Sequence, residues 1–371
     1  RASARAAGPS PDAAQLPDGI AHADFGLAPA EGGALDHIAS GLREVLRDPG
    51  AQYFGYAQES IDTSYVATSA GLRLRVVDET ARFELCAKDE ARTQSAWSGQ
   101  GGSTLSAVDI AHHARTVREG LAHQARKIDL EPGQHDVTLS PSAFADLLIY
   151  MLWHATAREA NEGRSVFSNP LGGTRIGQSL TQRNLTVATD PTVAGIETHD
   201  TVVNLATTSG GSPFDTGLHV PRTEVISQGR LAALASNRHE AAVASLPFTA
   251  LADNIDVRDA QGSGSLAEVA ARLGDGLLIT CLWYIREVDP QSLLLTGLTR
   301  DGVYVVRGGE IVGAANNFRF NESPVSLLSR ITDAGDPTLC LPREWADWFS
   351  RAKVCPVTVS GFNLSTRSDA V

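Results

Sequence analysis

The sequence predicts an α+β protein: an N-terminal α/β domain with helices on a sheet, then a C-terminal β-rich, barrel-like domain. Three observations carry this. Apolar stripes at helical spacing fall mainly before Gly163. Beyond it, short apolar or Thr-rich runs alternate with turn residues. The chain has 371 residues, 42% apolar and 20% charged, the balance of a folded chain large enough for two cores. The expected divisions are an arm over residues 1–33, a domain over 34–163 and a second domain over 164–371.

Residues 1–33 are rich in Ala, Gly and Pro without periodicity, hence a loose arm. Leu35, Ile38, Leu42, Val45 and Leu46 then repeat at helical spacing, and Asp48-Pro49-Gly50 ends the helix. Leu72, Leu74 and Val76 alternate with polar neighbours, as do Phe83, Leu85 and Ala87, so two strands are expected with Asp78-Glu79-Thr80 as their hairpin connection. Residues 95–106, rich in Gly and Ser, read as a loop. Ser106 to Asp109 resembles a capping box before a helix with the stripe Val108, Ala111, Ala114, Val117, Leu121 and Ala125. After the Glu131-Pro132-Gly133 turn, Val137 and Leu139 suggest a short strand. Ser140-Pro141 starts a helix burying Phe144, Leu147, Leu148, Met151 and Ala155 and running to Glu159.

Further on, extended segments are expected at 175–190, 200–208 and 222–233, and a short helix within 262–275. Strands follow at 276–285, 292–299, 302–307 and 310–315, the last two joined by Gly308-Gly309 as a tight hairpin. Ser323-Pro324 opens a helix through Ile331, and Val357 to Phe362 closes the chain as a strand.

Composition excludes several functions. With 43 acidic against 31 basic side chains, net charge −12, the chain is poorly suited to neutralise phosphates, so no nucleic-acid partner is expected. Its longest apolar runs, Leu147 to Trp153 and Leu277 to Ile285, are far short of the roughly 20 residues that span a bilayer, so no membrane partner is expected either. No signal peptide opens the chain, and Met151 is the only methionine, so the start reads as trimmed. Four cysteines without a CxxC imply neither a disulfide framework nor a zinc knuckle, and reduced thiols fit a cytoplasmic setting.

No self-contained catalytic signature is present. GxSxG, a phosphate-binding GxxxxGK[ST] loop and HExxH are all missing, and Gly262-Ser263-Gly264 lacks the third Gly of a dinucleotide fingerprint. His154 and Glu159 are five residues apart on one predicted helix, about 500° of rotation, and so face different sides. His154, Glu159 and Cys340 remain the one set that could converge on a metal ion in space, as an independent hydrolase would need.

Several collinear segments resemble the TldD/PmbA family, the metallopeptidases also called modulators of DNA gyrase (peptidase U62). They are Pro132 to Leu148, Arg164 to Gly173, Leu185 to Thr192, Glu224 to Leu231, Leu295 to Ala314 and Asn317 to Ser323. The resemblance implies a two-subunit enzyme in which one subunit type carries HExxxH and a downstream Cys ligand. Counting back from Ser165, that slot falls at Leu148 to Trp153, or one residue later, where LIYMLW stands. Only His154 could survive as a ligand. Cys340 lies near the Cys position without its surrounding pattern, and zinc needs about three protein ligands. The chain therefore resembles the PmbA/TldE-like subunit, which lacks the motif. That implies no cofactor on this chain, zinc on an HExxxH-bearing TldD-like partner, and a peptide or amide substrate. Tyr304, Asn317 and Arg319 are the candidate groove residues, because polar and aromatic groups cluster there. The competing expectations are the independent hydrolase and a non-enzymatic binding or scaffold protein on the same fold.

Overall fold

The computed structural model of the chain describes residues 8–17, 34–48 and 50–368. The first body is a meander of β1 (Gln52–Ala67), β2 (Arg73–Lys88) and β3 (Ser95–Gly102). Helices α1 (Ala34–Val45) and α2 (Ile110–Gln124) pack on one face, burying Ile38, Val45, Ala81, Phe83, Leu85, Ala114 and Val117 together. Asp109 caps α2 through His112 N at 3.0 Å, so the cap is three residues later than the Ser106 box suggests.

Two expectations fail here for physical reasons. Asp78-Glu79-Thr80 is not a turn, because β2 pairs with β1 without a break from Arg73 to Lys88. Its even-numbered residues Leu74 and Val76 are buried on one face and its odd-numbered residues Ala81 to Ala87 on the other. The two buried runs are thus opposite faces of one ribbon, and Asp78 ion-pairs with Arg351 of the second body. Residues 95–102 are a strand, not a loop, because their glycines mark close backbone approach: a Cβ at Gly101 would overlap the Ser350 carbonyl.

The second body holds two open sheets. The larger runs β11 (Leu282–Asp289), β12 (Leu294–Thr299), β15 (Asn317–Glu322), β19 (Val357–Ser368), β5 (Gly133–Leu139), β10 (Gly276–Ile279), β13 (Val303–Arg307), β14 (Glu310–Ala315) and β4 (Lys127–Ile128), with β16 (Ile331–Ala334) also on β19. The smaller runs β17 (Thr338–Cys340), β18 (Ala352–Val354), β9 (Ile255–Asp259), β6 (Leu185–Thr189), β7 (Thr223–Ser227) and β8 (Arg230–Leu231). Each path starts and ends on an edge strand, so the barrel-like expectation becomes a pair of open sheets.

Helix α3 (Pro141–His154) lies in the main core, its Phe144, Leu147, Leu148, Ile149 and Met151 sealed among strands of both sheets. Because β4 pairs with β14 and β5 sits between β19 and β10, the 163/164 boundary cuts through one core, and the strands from Lys127 onward belong with the second body. The expected run of α3 to Glu159 is interrupted. Ala155 and Ala157 exchange backbone bonds with Ala235 at 2.8 Å, and α4 (Ala157–Asn161) resumes afterwards.

Short helices α5 (Arg238–Ala244) and α6 (Leu266–Leu273) each carry a capping box, and α7 (Pro324–Leu328) is capped by Ser323. The expected strand at 276–285 is split at Thr280, whose N–H goes to the Gly302 carbonyl instead. The stretch 200–208 contributes only isolated bridges, Thr201 to His219 and Thr208 to Gly211, and 175–190 forms a strand only from Leu185. Gly308 and Gly309, with φ of 56° and 82°, make the expected tight turn. Most of the 1–33 arm lies outside the described residues. Within 8–17, Asp12 is buried and accepts from Ser10, Thr207 and Ser212 hydroxyls, which docks this segment on the second body. Those hydroxyls hold its carboxyl far below the usual carboxylate range.

Candidate functional site

Helix α3 starts where Ser140 accepts from Ala143 N at 3.2 Å and Pro141 occupies the first turn. Its interior face is so apolar that the helix is buried nearly all round until Trp153, which is 43% exposed. At the 148–153 positions, Leu148 and Ile149 are fully buried hydrocarbon, and an indole N–H such as that of Trp153 can only donate. This donor set does not fit a zinc ion.

His154 is committed elsewhere. Its Nδ1 lies 2.9 Å from the Tyr150 carbonyl and its Nε2 3.0 Å from a Glu287 carboxylate oxygen, and its ring stacks on Tyr150 at 4.9 Å. Glu159 is on α4, and Cys340 is buried on β17, where burial pushes its thiol far up. The described residues contain no group of three or more His, Cys, Asp or Glu placed to hold a metal ion, so these three do not converge.

The polar chemistry near α3 comes from residues that sequence reasoning missed. Asp146 is fully buried, and Glu344 N donates to its Oδ1 at 3.1 Å while Oδ2 has no partner. Burial pushes its carboxyl well above the usual carboxylate range. Glu344 holds an irregularity in edge strand β11: its carboxylate accepts from Tyr284 N at 2.7 Å, Ile285 N at 3.0 Å and Arg286 Nη1 at 3.0 Å. That bulge leaves Tyr284 left-handed at φ 55° with its ring half exposed under Arg286. Around the end of α3, Trp153, Tyr150 and Trp345 form an aromatic patch with ring centroids 4.9–6.2 Å apart.

Next to it, Arg343 is held by Asp301 and by Cys281 Sγ at 3.0 Å, with the Trp97 and Trp283 rings both packed within cation–π distance of its guanidinium. Asp301 also accepts from Ser95, so this cluster joins β3 of the first body to the second. Burial pushes the Cys281 thiol up to about 12, so Cys281 acts as a packed acceptor, not a nucleophile.

A cleft of about 340 Å³ lies at the same junction, lined by Ser95, Gln124, Lys127, Asp301, Asn317 and neighbours. Of the three groove candidates, only Asn317 lines it. Tyr304 is buried, its hydroxyl pushed up by desolvation, and it packs edge-on against His123. Arg319 instead donates to Thr296 Oγ1 at 3.4 Å along the sheet. A Trp-flanked Arg and a lone buried Asp leave no short-range sequence signal, because their partners are more than 40 residues away in the chain.

The fold and this junction define a class of two-body α+β proteins in which the larger body supplies the interior helix and the smaller body one wall of the cleft. Residues 132–366 match the PmbA/TldA metallopeptidase C-terminal domain, and the chain belongs to the PmbA/TldD metallopeptidase family. Among solved structures it is similar to TldE from Thermococcus kodakarensis, with TM-score 0.74 and 14% identity over 97% of this chain and 81% of that one. It is also similar to proteins assigned as modulators of DNA gyrase. The one from Bacteroides thetaiotaomicron has TM-score 0.67 and 12% identity over 97% of this chain and 75% of that one. The one from Thermotoga maritima has TM-score 0.69 and 14% identity over 94% of this chain and 79% of that one. At such identities the likeness is one of fold. No curated protein matches the chain.

Proposed function

We propose that this chain is the non-metal subunit of a TldD/TldE-type heteromeric metallopeptidase. The observation that carries the reading is chemical: the slot at 148–153 holds two sealed aliphatic side chains and a Trp where a metal-bearing subunit needs ligands. An HExxxH-bearing partner would supply the zinc and the water it activates. This subunit's part is to bind and orient. Edge strand β11 beyond the bulge whose N–H groups Glu344 takes, with the aromatic patch nearby, suits an extended peptide that adds along the sheet edge. The substrates are peptide or amide bonds of unfolded or modified peptides or of a natural-product intermediate. No helix among the described residues is long and apolar enough to cross a membrane, and the four cysteines are free, which suits a reducing, cytoplasmic setting.

Co-expression with an HExxxH-bearing relative, then peptide cleavage by each subunit alone and by both together, tests this. Cleavage is expected only from the pair. Turnover by this chain alone, or a partner that neither binds it nor gains activity from it, would overturn the proposal.

A further inference from the structure

We propose that Arg343 is a carboxylate receptor: packed against Trp97 and Trp283 and held through Nη1 by Asp301 and Cys281, its guanidinium presents Nε and Nη2 as a fork for a carboxylate ligand. The ligand chemistry is shared by a peptide C-terminus and a small free carboxylate.

Cζ of Arg343 lies 5.0 Å from the Trp97 ring centroid and 5.2 Å from the Trp283 ring centroid, so two indoles pack against the guanidinium within cation–π distance. Nη1 donates to Asp301 and, at 3.0 Å, to Cys281 Sγ. Among the described residues, Nε and Nη2 have no protein partner, yet neither is sealed from water, and the side chain is 14% exposed. The N–H groups of Nε and Nη2 point the same way and match the two oxygens of a carboxylate.

The surroundings favour an anion and a fixed geometry. Arg300 lies 3.7 Å from the same Asp301, so two guanidinium groups share one carboxylate. Glu84 is engaged by Trp97 Nε1 at 2.9 Å. Ser95 fixes Asp301, and the two Trp rings come from β3 and β11, so the receptor exists only where the bodies meet. Flanked and tethered in this way, the fork loses little rotamer freedom on binding.

The proposal goes beyond the subunit assignment and is tested on the lone full-length chain, so a failed co-expression leaves it standing. Trp fluorescence and calorimetric titrations would use N-acetyl-dialanine, its C-terminal amide and sodium acetate. The acid is expected to bind about tenfold or more tightly than the amide, the worth of one charge-assisted bidentate pair. Acetate that binds with the same Arg343 dependence assigns the site to small carboxylates. Acetate that fails while N-acetyl-dialanine binds assigns it to a peptide terminus. Arg343→Lys keeps the charge but loses the fork, so it should weaken acid binding about tenfold with the melting curve retained. Should that variant fail to fold, the acid-to-amide ratio on the unaltered chain decides. Equal binding of acid and amide, acid binding unchanged in Arg343→Lys, or no saturable binding of either carboxylate overturns the proposal.

Discussion

Replacing Arg351 by Met tests whether the two bodies are held together by a buried ionic rivet. Arg351 is 1% exposed yet makes five hydrogen bonds, three of them across the junction to Asp78 and Glu79 and two within the second body to Asp253. Nη1 and Nη2 reach the Asp78 carboxylate at 2.6 and 3.2 Å, and Nη2 reaches Asp253 at 2.7 Å. Nε and Nη1 donate to the Asp253 and Glu79 carbonyls at 3.0 and 3.1 Å. Breaking a buried pair by removing one partner costs about 3–5 kcal/mol when the remaining charge is stranded. Here the carboxylates left behind are 27% and 54% exposed and can rehydrate, which moves the expectation to the lower end. Arg351→Met should therefore cost about 3 kcal/mol. Asp78→Asn removes one two-point acceptor that is mostly covered, and about 1–2 kcal/mol is expected. Asp253→Asn, half exposed, should cost under about 1 kcal/mol. Urea unfolding followed by Trp fluorescence and by circular dichroism gives the comparison, with coincident curves required before a single free energy is assigned. An Arg351→Met variant within about 1 kcal/mol of the parent would refute the rivet. So would an Asp253→Asn cost equal to that of Asp78→Asn, because the ranking follows from burial.

Two further predictions concern the first body and its seam. His113 is buried, its Nδ1 is 2.8 Å from Ser98 Oγ, its Nε2 has no partner, and burial pulls its pKa down to about 4. The folded value is below the unfolded value of about 6.5, so the unfolded chain binds more protons between them and stability falls as pH drops through that window. His113→Gln should flatten the stability profile between about pH 6.5 and 4, read by melting curves, and an unchanged slope would contradict this. Gly101→Ala places a methyl group against the Ser350 carbonyl, so it should loosen the seam and cost about 1–3 kcal/mol. Gly163→Ala, with nothing near its Cβ position but φ of 76°, is the control for backbone strain alone.

Much of the local structure was legible because it depends on neighbours in the chain. The Ser140-Pro141 start of α3, the Ser323-Pro324 start of α7 and the Gly308-Gly309 turn each follow from residues within four positions. The apolar character of 148–153 was equally plain, and burial agrees with it. Less was visible where a segment's state is set from afar. The Asp78-Glu79-Thr80 stretch has turn composition but is strand, because Arg351 neutralises Asp78 and β1 supplies the ladder. The glycines of β3 suggest a loop until the Ser350 backbone is seen against them. Of Tyr304, Asn317 and Arg319, chosen for clustering along the chain, only Asn317 reaches the cleft, because strand neighbours two residues apart share a face but not a position along it.

The chain alone determined its α+β composition, the Ser140-Pro141 and Ser323-Pro324 helix starts, its family resemblance and the lack of ligand-type residues at 148–153, since each is a property of residue identity at short range. The tertiary structure decided which body owns β5 and α3, that the sheets stay open, and that Arg343, Trp97, Trp283 and Asp301 meet. Those outcomes depend on strand order and on the docking of two bodies, where the interacting groups are separated by tens to hundreds of residues and no local pattern records the contact.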